Sequence, residues 1–187
     1  MTGTVHQLKV TLRSVKPPVW RRIVVASDTT LADLSPILET AMGWLGGHLH
    51  IFDVDGTLYG TPDPEWGRDD LDENKFRVRD VLPKAGSKLR WDYDFGDGWE
   101  HNIVVEEISA AEPGVDYPIC LAGRRACPPE DCGGPWAYAD LLTALADPAH
   151  PDHEHLREWT PLGFDPDYFN PEETNLAMQS PRPLEGW

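Results

Sequence analysis

The stretch Tyr93-Asp94-Phe95-Gly96-Asp97-Gly98-Trp99-Glu100-His101 packs three carboxylates, a histidine and three aromatic rings into nine residues. Asp94, Asp97, Glu100 and His101 are of the types that hold a cation or move protons, and Tyr93 and Trp99 can keep water away from them. A hairpin turn makes the same demands in part. Asp bonds its own backbone there and Gly takes left-handed dihedrals. Turn chemistry accounts for Gly96, Asp97 and Gly98, but less well for Glu100 and His101, which fall where a strand should already be running.

Two further groups invite a metal. His48 and His50 are two apart on an expected strand, so they share a face and form half of a site. His101, or the carboxylates of Glu130 and Asp131, would complete it. In the plainer account Leu49 and Ile51 face the core while the imidazoles sit in solvent or hydrogen-bond neighbouring strands. Cys120, Cys127 and Cys132 are spaced C-x6-C-x4-C and lack the C-x2-C knuckles of structural zinc sites. A looser Zn site would need Cys120 and Cys127 to meet His48, His50 or His101. Otherwise the thiols are small buried hydrophobes in a proline-stiffened loop. Gly133-Gly134 ahead of a helix suggests phosphate binding, yet Glu130 and Asp131 repel anions, so acidic capping of that helix is the better expectation. His150, His153 and His155 read as a polar helix entry. There is no G-x-S-x-G, G-x-G-x-x-G or P-loop.

The elements that must position these groups follow from periodicity. Residues 5–15 alternate through Leu8, Val10 and Leu12, and residues 19–25 are rich in β-branched side chains, which gives two strands. Thr30 and Asp33 mark a helix start, Leu31, Leu34, Leu38 and Met42 form its apolar stripe, and Gly43 is placed to end it. Asp55-Gly56 suits a type I′ turn between two short strands in 48–60. Residues 61–75 read as an acidic surface loop and 76–82 as a short turn. Lys88–Tyr93 and His101–Ile108 form a second hairpin. Residues 109–134 look irregular. Helices are expected at 135–146, near 152–159 and at 171–178. The order strand, strand, helix, strand, strand suggests a β-grasp-like start, a small mixed sheet with a helix packed across it.

Composition narrows the function. With 32 acidic against 16 basic side chains the formal charge is −16, so the chain repels phosphate backbones and direct DNA binding is disfavoured. Eight Trp and 40% apolar residues require a buried core. No apolar run approaches the ~20 residues of a membrane span, and an odd cysteine count in a chain without a signal-peptide pattern points to the cytoplasm.

The segments GGHLH (46–50), YDFGDGWEH (93–101) and CLAGRRACPPEDCGG (120–134) closely resemble the plasmid pRiA4b ORF-3-like family, in the same motif order and from about Gln7 to Met178. The resemblance implies a compact α+β domain. It also implies association with mobile elements, as the passenger of an insertion element with a resolvase-like (TnpR-like) label. The chain has neither a serine-nucleophile region set among arginines nor a basic helix for a DNA groove. The resulting expectation is one α+β domain over 1–178 and a flexible tail over 179–187. Functionally it is a mobile-element-associated binding or accessory module that recognises a protein or peptide. The alternative is a metal-dependent hydrolase, with a divalent ion such as Zn on His48, His50 and His101 and an acidic residue activating water.

Overall fold

The computed structural model describes residues 3–63 and 69–180. Among the described residues eight strands form one sheet: β1 (Thr4–Leu12), β2 (Trp20–Ala26), β3 (His50–Val54), β4 (Thr57–Gly60), β5 (Leu71–Asp72), β6 (Lys88–Tyr93), β7 (Trp99–Ala110) and β8 (Ile119–Arg124). Their spatial order is β5-β4-β3-β6-β7-β1-β2-β8. Only the β4–β5 pair is parallel, so the sheet is mixed and mostly antiparallel. The helices are α1 (Leu31–Met42), α2 (Val78–Val81), α3 (Gly134–Ala146), α4 (His153–Trp159) and α5 (Pro171–Gln179). None is long and apolar enough to cross a membrane.

The local signals act as their chemistry requires. Thr30 accepts the Asp33 N–H at the start of α1, and Gly43 ends the helix at φ 102°, its N–H donating to the Glu39 and Thr40 carbonyls. Leu31, Leu34, Leu38 and Met42 are buried against the sheet. Asp55 and Gly56 both take positive φ between β3 and β4, as a type I′ turn demands.

Register then decides which side chains enter the core. Opposed residues in an antiparallel pair lie on the same face. The pairs Leu12–His101, His101–Trp91, Trp91–Phe52 and Val10–Arg21 therefore set those residues on the face that α1 covers. The other face is open and carries charge. Arg22 pairs with Glu106, and Arg90 with Asp53 and Asp92.

Four differences from the sequence expectations are informative. The strand-strand-helix-strand-strand order is present, but the β6–β7 hairpin lies between the two earlier hairpins, so the sheet is wider than a four-stranded start. The stretch 109–134 contains a strand, β8, paired with β2. Within the acidic loop, Leu71–Asp72 pairs with β4 and Glu73–Lys75 forms a 3-10 turn, while 64–68 lie outside the described residues. Of the expected tail, Gln179 belongs to α5, and 181–187 lie outside the described residues.

Candidate functional site

The three signature segments meet at one corner of the molecule. Between β6 and β7, the Asp94–Gly98 turn holds itself together: Asp94 Oδ1 accepts the Gly96 and Asp97 N–H groups at 3.0 and 3.4 Å. Asp97 Oδ2 reaches the loop before α3 and accepts the Gly133 N–H at 3.1 Å. The backbones are in close approach here, because a Cβ on Gly134 would stand 2.3 Å from the Asp97 carbonyl oxygen. Glu130 is fixed in the same corner, with Oε1 accepting the Leu45 N–H and the Tyr93 hydroxyl, each at 3.2 Å. Trp44 donates its indole N–H to the Pro128 carbonyl at 3.0 Å and stacks on Tyr93 at 4.9 Å.

Into this corner projects His48. Its Nδ1 lies 3.6 Å from Asp94 Oδ2 and its Nε2 3.8 Å from Asp131 Oδ1. Among the described residues these three form the only imidazole–carboxylate group compact enough to hold a metal ion.

The expected ligand set of His48, His50 and His101 does not assemble. Gly46 and Gly47, at φ 92° and 105°, turn the chain ahead of β3, so the strand begins at His50 and the two imidazoles part. His50 Nε2 contacts buried Glu73 Oε2 at 2.8 Å, and Leu49 is exposed rather than facing the core. His101 is fully buried between Trp44 and Trp91. Cys120, Cys127 and Cys132 are free thiols that join no ligand group among the described residues. Burial pushes the Cys127 thiol up and takes Cys132 to about 12, so neither is a thiolate at neutral pH. Tyr93 and Trp99 lie in the core, and Glu100 pairs with Arg13 on the open face. Acidic capping of α3 by Glu130 and Asp131 is also absent. The carboxylate at that helix start is Asp97, from another segment.

Several polar residues gain importance only in three dimensions. Arg21, 2% exposed, lies beneath the corner and binds main-chain carbonyls of α1 and β8. His6 is buried between Ser27 and the Leu82 carbonyl. Arg125 pairs with Asp167 ahead of α5 rather than with the acidic residues of its own segment.

His101 gives a pH prediction. Burial lowers its pKa from 6.5 to about 3, so the folded protein keeps it neutral, with Nδ1–H donating to the Trp91 carbonyl. The unfolded chain binds a proton there below about pH 6.5, so this residue's contribution to stability is complete above that value and is lost as pH falls toward about 3. Urea midpoints measured at about pH 7 and about pH 5 should fall less for His101→Phe than for the wild type. Equal falls would contradict this assignment.

The fold and much of the sequence are shared with known proteins. The chain belongs to the plasmid pRiA4b ORF-3-like protein family, which it matches over residues 4–173. It is 42% identical over 160 residues to the uncharacterised protein y4hQ of Sinorhizobium fredii, covering 85% of this chain and 82% of that one. The crystal structure of MM3350, a protein of unknown function from Methanosarcina mazei Go1, superposes with a TM-score of 0.84 at 34% identity, covering 92% of this chain and 98% of the other.

Proposed function

We propose that the protein is a binding module that takes a peptide segment carrying basic and apolar side chains. The observation that carries this reading is an open groove of about 700 Å³ alongside the corner, between the end of α1, the 126–131 loop and the C-terminal helices. Its walls are apolar, with Leu45, Trp159 and Phe164 turned toward it, and Leu45 is 86% exposed. Glu130, Asp131 and Glu173 supply negative charge. The one cation in the lining, Arg21, is engaged by carbonyls and stacked on Phe169, so it offers little to an anion. An apolar wall with an acidic rim suits Leu or Phe beside Lys or Arg. Nucleic acid fits poorly with a chain of −16 whose arginines 13, 22, 79, 90 and 125 are already ion-paired. The plasmid reading frame in the family's description supports an accessory role in a mobile element.

Fluorescence anisotropy with labelled peptides of matched length tests the proposal. A Lys/Leu/Phe peptide should bind, more weakly as salt is added, and more weakly to Leu45→Ala and Trp159→Ala. Glu/Leu/Phe and Lys/Ser peptides should not bind. Equal binding of the acidic peptide, or none by any, would refute the reading.

A metal-dependent hydrolase is the second reading, and one observation favours it. His48, Asp94 and Asp131 stand together beside the groove, with Glu130 held next to them as a candidate base for a metal-bound water.

A further inference from the structure

We propose that His48, Asp94 and Asp131 bind a divalent first-row cation. This goes beyond the peptide reading and stands independently of it.

The three residues come from three separate segments, so their meeting is a product of the fold rather than of sequence adjacency. One ligand atom from each lies within 4.8 Å of the others. An ion with bonds of about 2.0–2.2 Å draws its ligands to roughly 3–4 Å from one another. Asp94 Oδ2 and His48 Nδ1, 3.6 Å apart, are already at that spacing. Only Asp131 must move. Its side chain is 77% exposed, so rotation toward the pair meets little resistance.

Asp94 provides an independent argument. The residue is 8% exposed, and its two oxygens are used differently. Oδ1 is held by the Gly96 and Asp97 N–H groups. Oδ2 makes no hydrogen bond among the described residues and faces His48. Ligating carboxylates are commonly oriented in this way, with one oxygen anchored by the protein and the other directed at the ion. No Lys or Arg among the described residues pairs with Asp94 or Asp131, so a cation would supply the missing positive charge.

The ligand types set the class of ion. Two carboxylates alone would suit Mg²⁺ or Ca²⁺, whereas the imidazole shifts preference to Mn²⁺, Zn²⁺ or Fe²⁺. Three protein ligands leave positions for water.

Mn²⁺ is the appropriate probe, because soft thiols compete poorly for it and the three cysteines cannot mimic the site. Chelator-stripped full-length protein is titrated with MnCl₂, and free Mn²⁺ is followed by electron paramagnetic resonance. The wild type should take up one equivalent. His48→Ala and Asp131→Asn should lose that uptake, while His155→Ala, on exposed α4, should keep it. Asp131→Asn changes an exposed side chain, so the test does not depend on His48→Ala folding, and far-UV circular dichroism verifies both. No uptake by the wild type, or uptake unchanged in Asp131→Asn and a folded His48→Ala, would overturn the proposal.

Discussion

Arg21→Met should lower the free energy of unfolding by about 3–5 kcal/mol, near the upper limit for a single substitution. The guanidinium Nε donates to the Ala41 carbonyl at 2.7 Å, Nη1 to the Trp20 and Arg124 carbonyls at 2.9 and 3.2 Å, and Nη2 to the Met42 carbonyl at 3.4 Å. Ala41 and Met42 close α1, whose last turn contains no basic residue, so Arg21 supplies the positive charge at the negative end of the helix dipole. It lies 4.1 Å over the Phe169 ring and so also ties the segment before α5 to the sheet. Each carbonyl left buried and unmet costs about 1–3 kcal/mol, and relief from burying the guanidinium itself offsets part of the sum. Urea denaturation measures the loss. Arg22→Ala, one residue away on the open face, removes a part-exposed bidentate pair with Glu106 and a 5.4 Å contact with the Trp20 ring, and should cost about 1 kcal/mol. Similar losses for the two variants would refute the structural role given to Arg21.

Gly134→Ala should cost about 2–4 kcal/mol through two separable effects. Gly134 has φ 80°, where an L side chain is strained by about 1–2 kcal/mol. The new methyl would also stand 2.3 Å from the Asp97 carbonyl oxygen, which is main chain and cannot swing aside. The Asp94–Gly98 turn must then separate from the loop before α3, and the bond from the Gly133 N–H to Asp97 Oδ2 is lost with it. Gly86→Ala isolates the first effect, since Gly86 has φ 83° and an added methyl there would meet nothing within 4 Å. The expected result is a clearly larger drop in urea midpoint for Gly134→Ala, and equal drops would show that the corner is not closely packed. Because Asp94 and Asp131 flank this contact, Gly134→Ala should also weaken Mn²⁺ uptake.

Side-chain identity alone was a poor guide to which residues are accessible. His101 follows Glu100 in a segment full of ligand-type side chains, yet its register opposite Trp91 and Leu12 commits it to the core. His48 and His50 share a face only if both are in the strand, and the positive-φ glycines before it prevent that. Glu130 and Asp131 were legible as acidic, but not that Glu130 would be held by Tyr93 and Leu45 while Asp131 meets His48.

The sequence by itself determined the family, the stripe and both ends of α1, the Asp55-Gly56 turn, and the β6–β7 hairpin around its glycines. These depend on interactions within a few residues, where periodicity, capping and allowed dihedrals suffice. Tertiary structure alone decided the rest. Strand β8 shows no alternation because it exists by pairing with β2, and its Gly123 is required by Phe169, whose ring would lie 2.6 Å from an added methyl. Likewise, only the folded chain brings residues 48, 94 and 131 together, because the distances between them are set by strand order and register across the whole sheet.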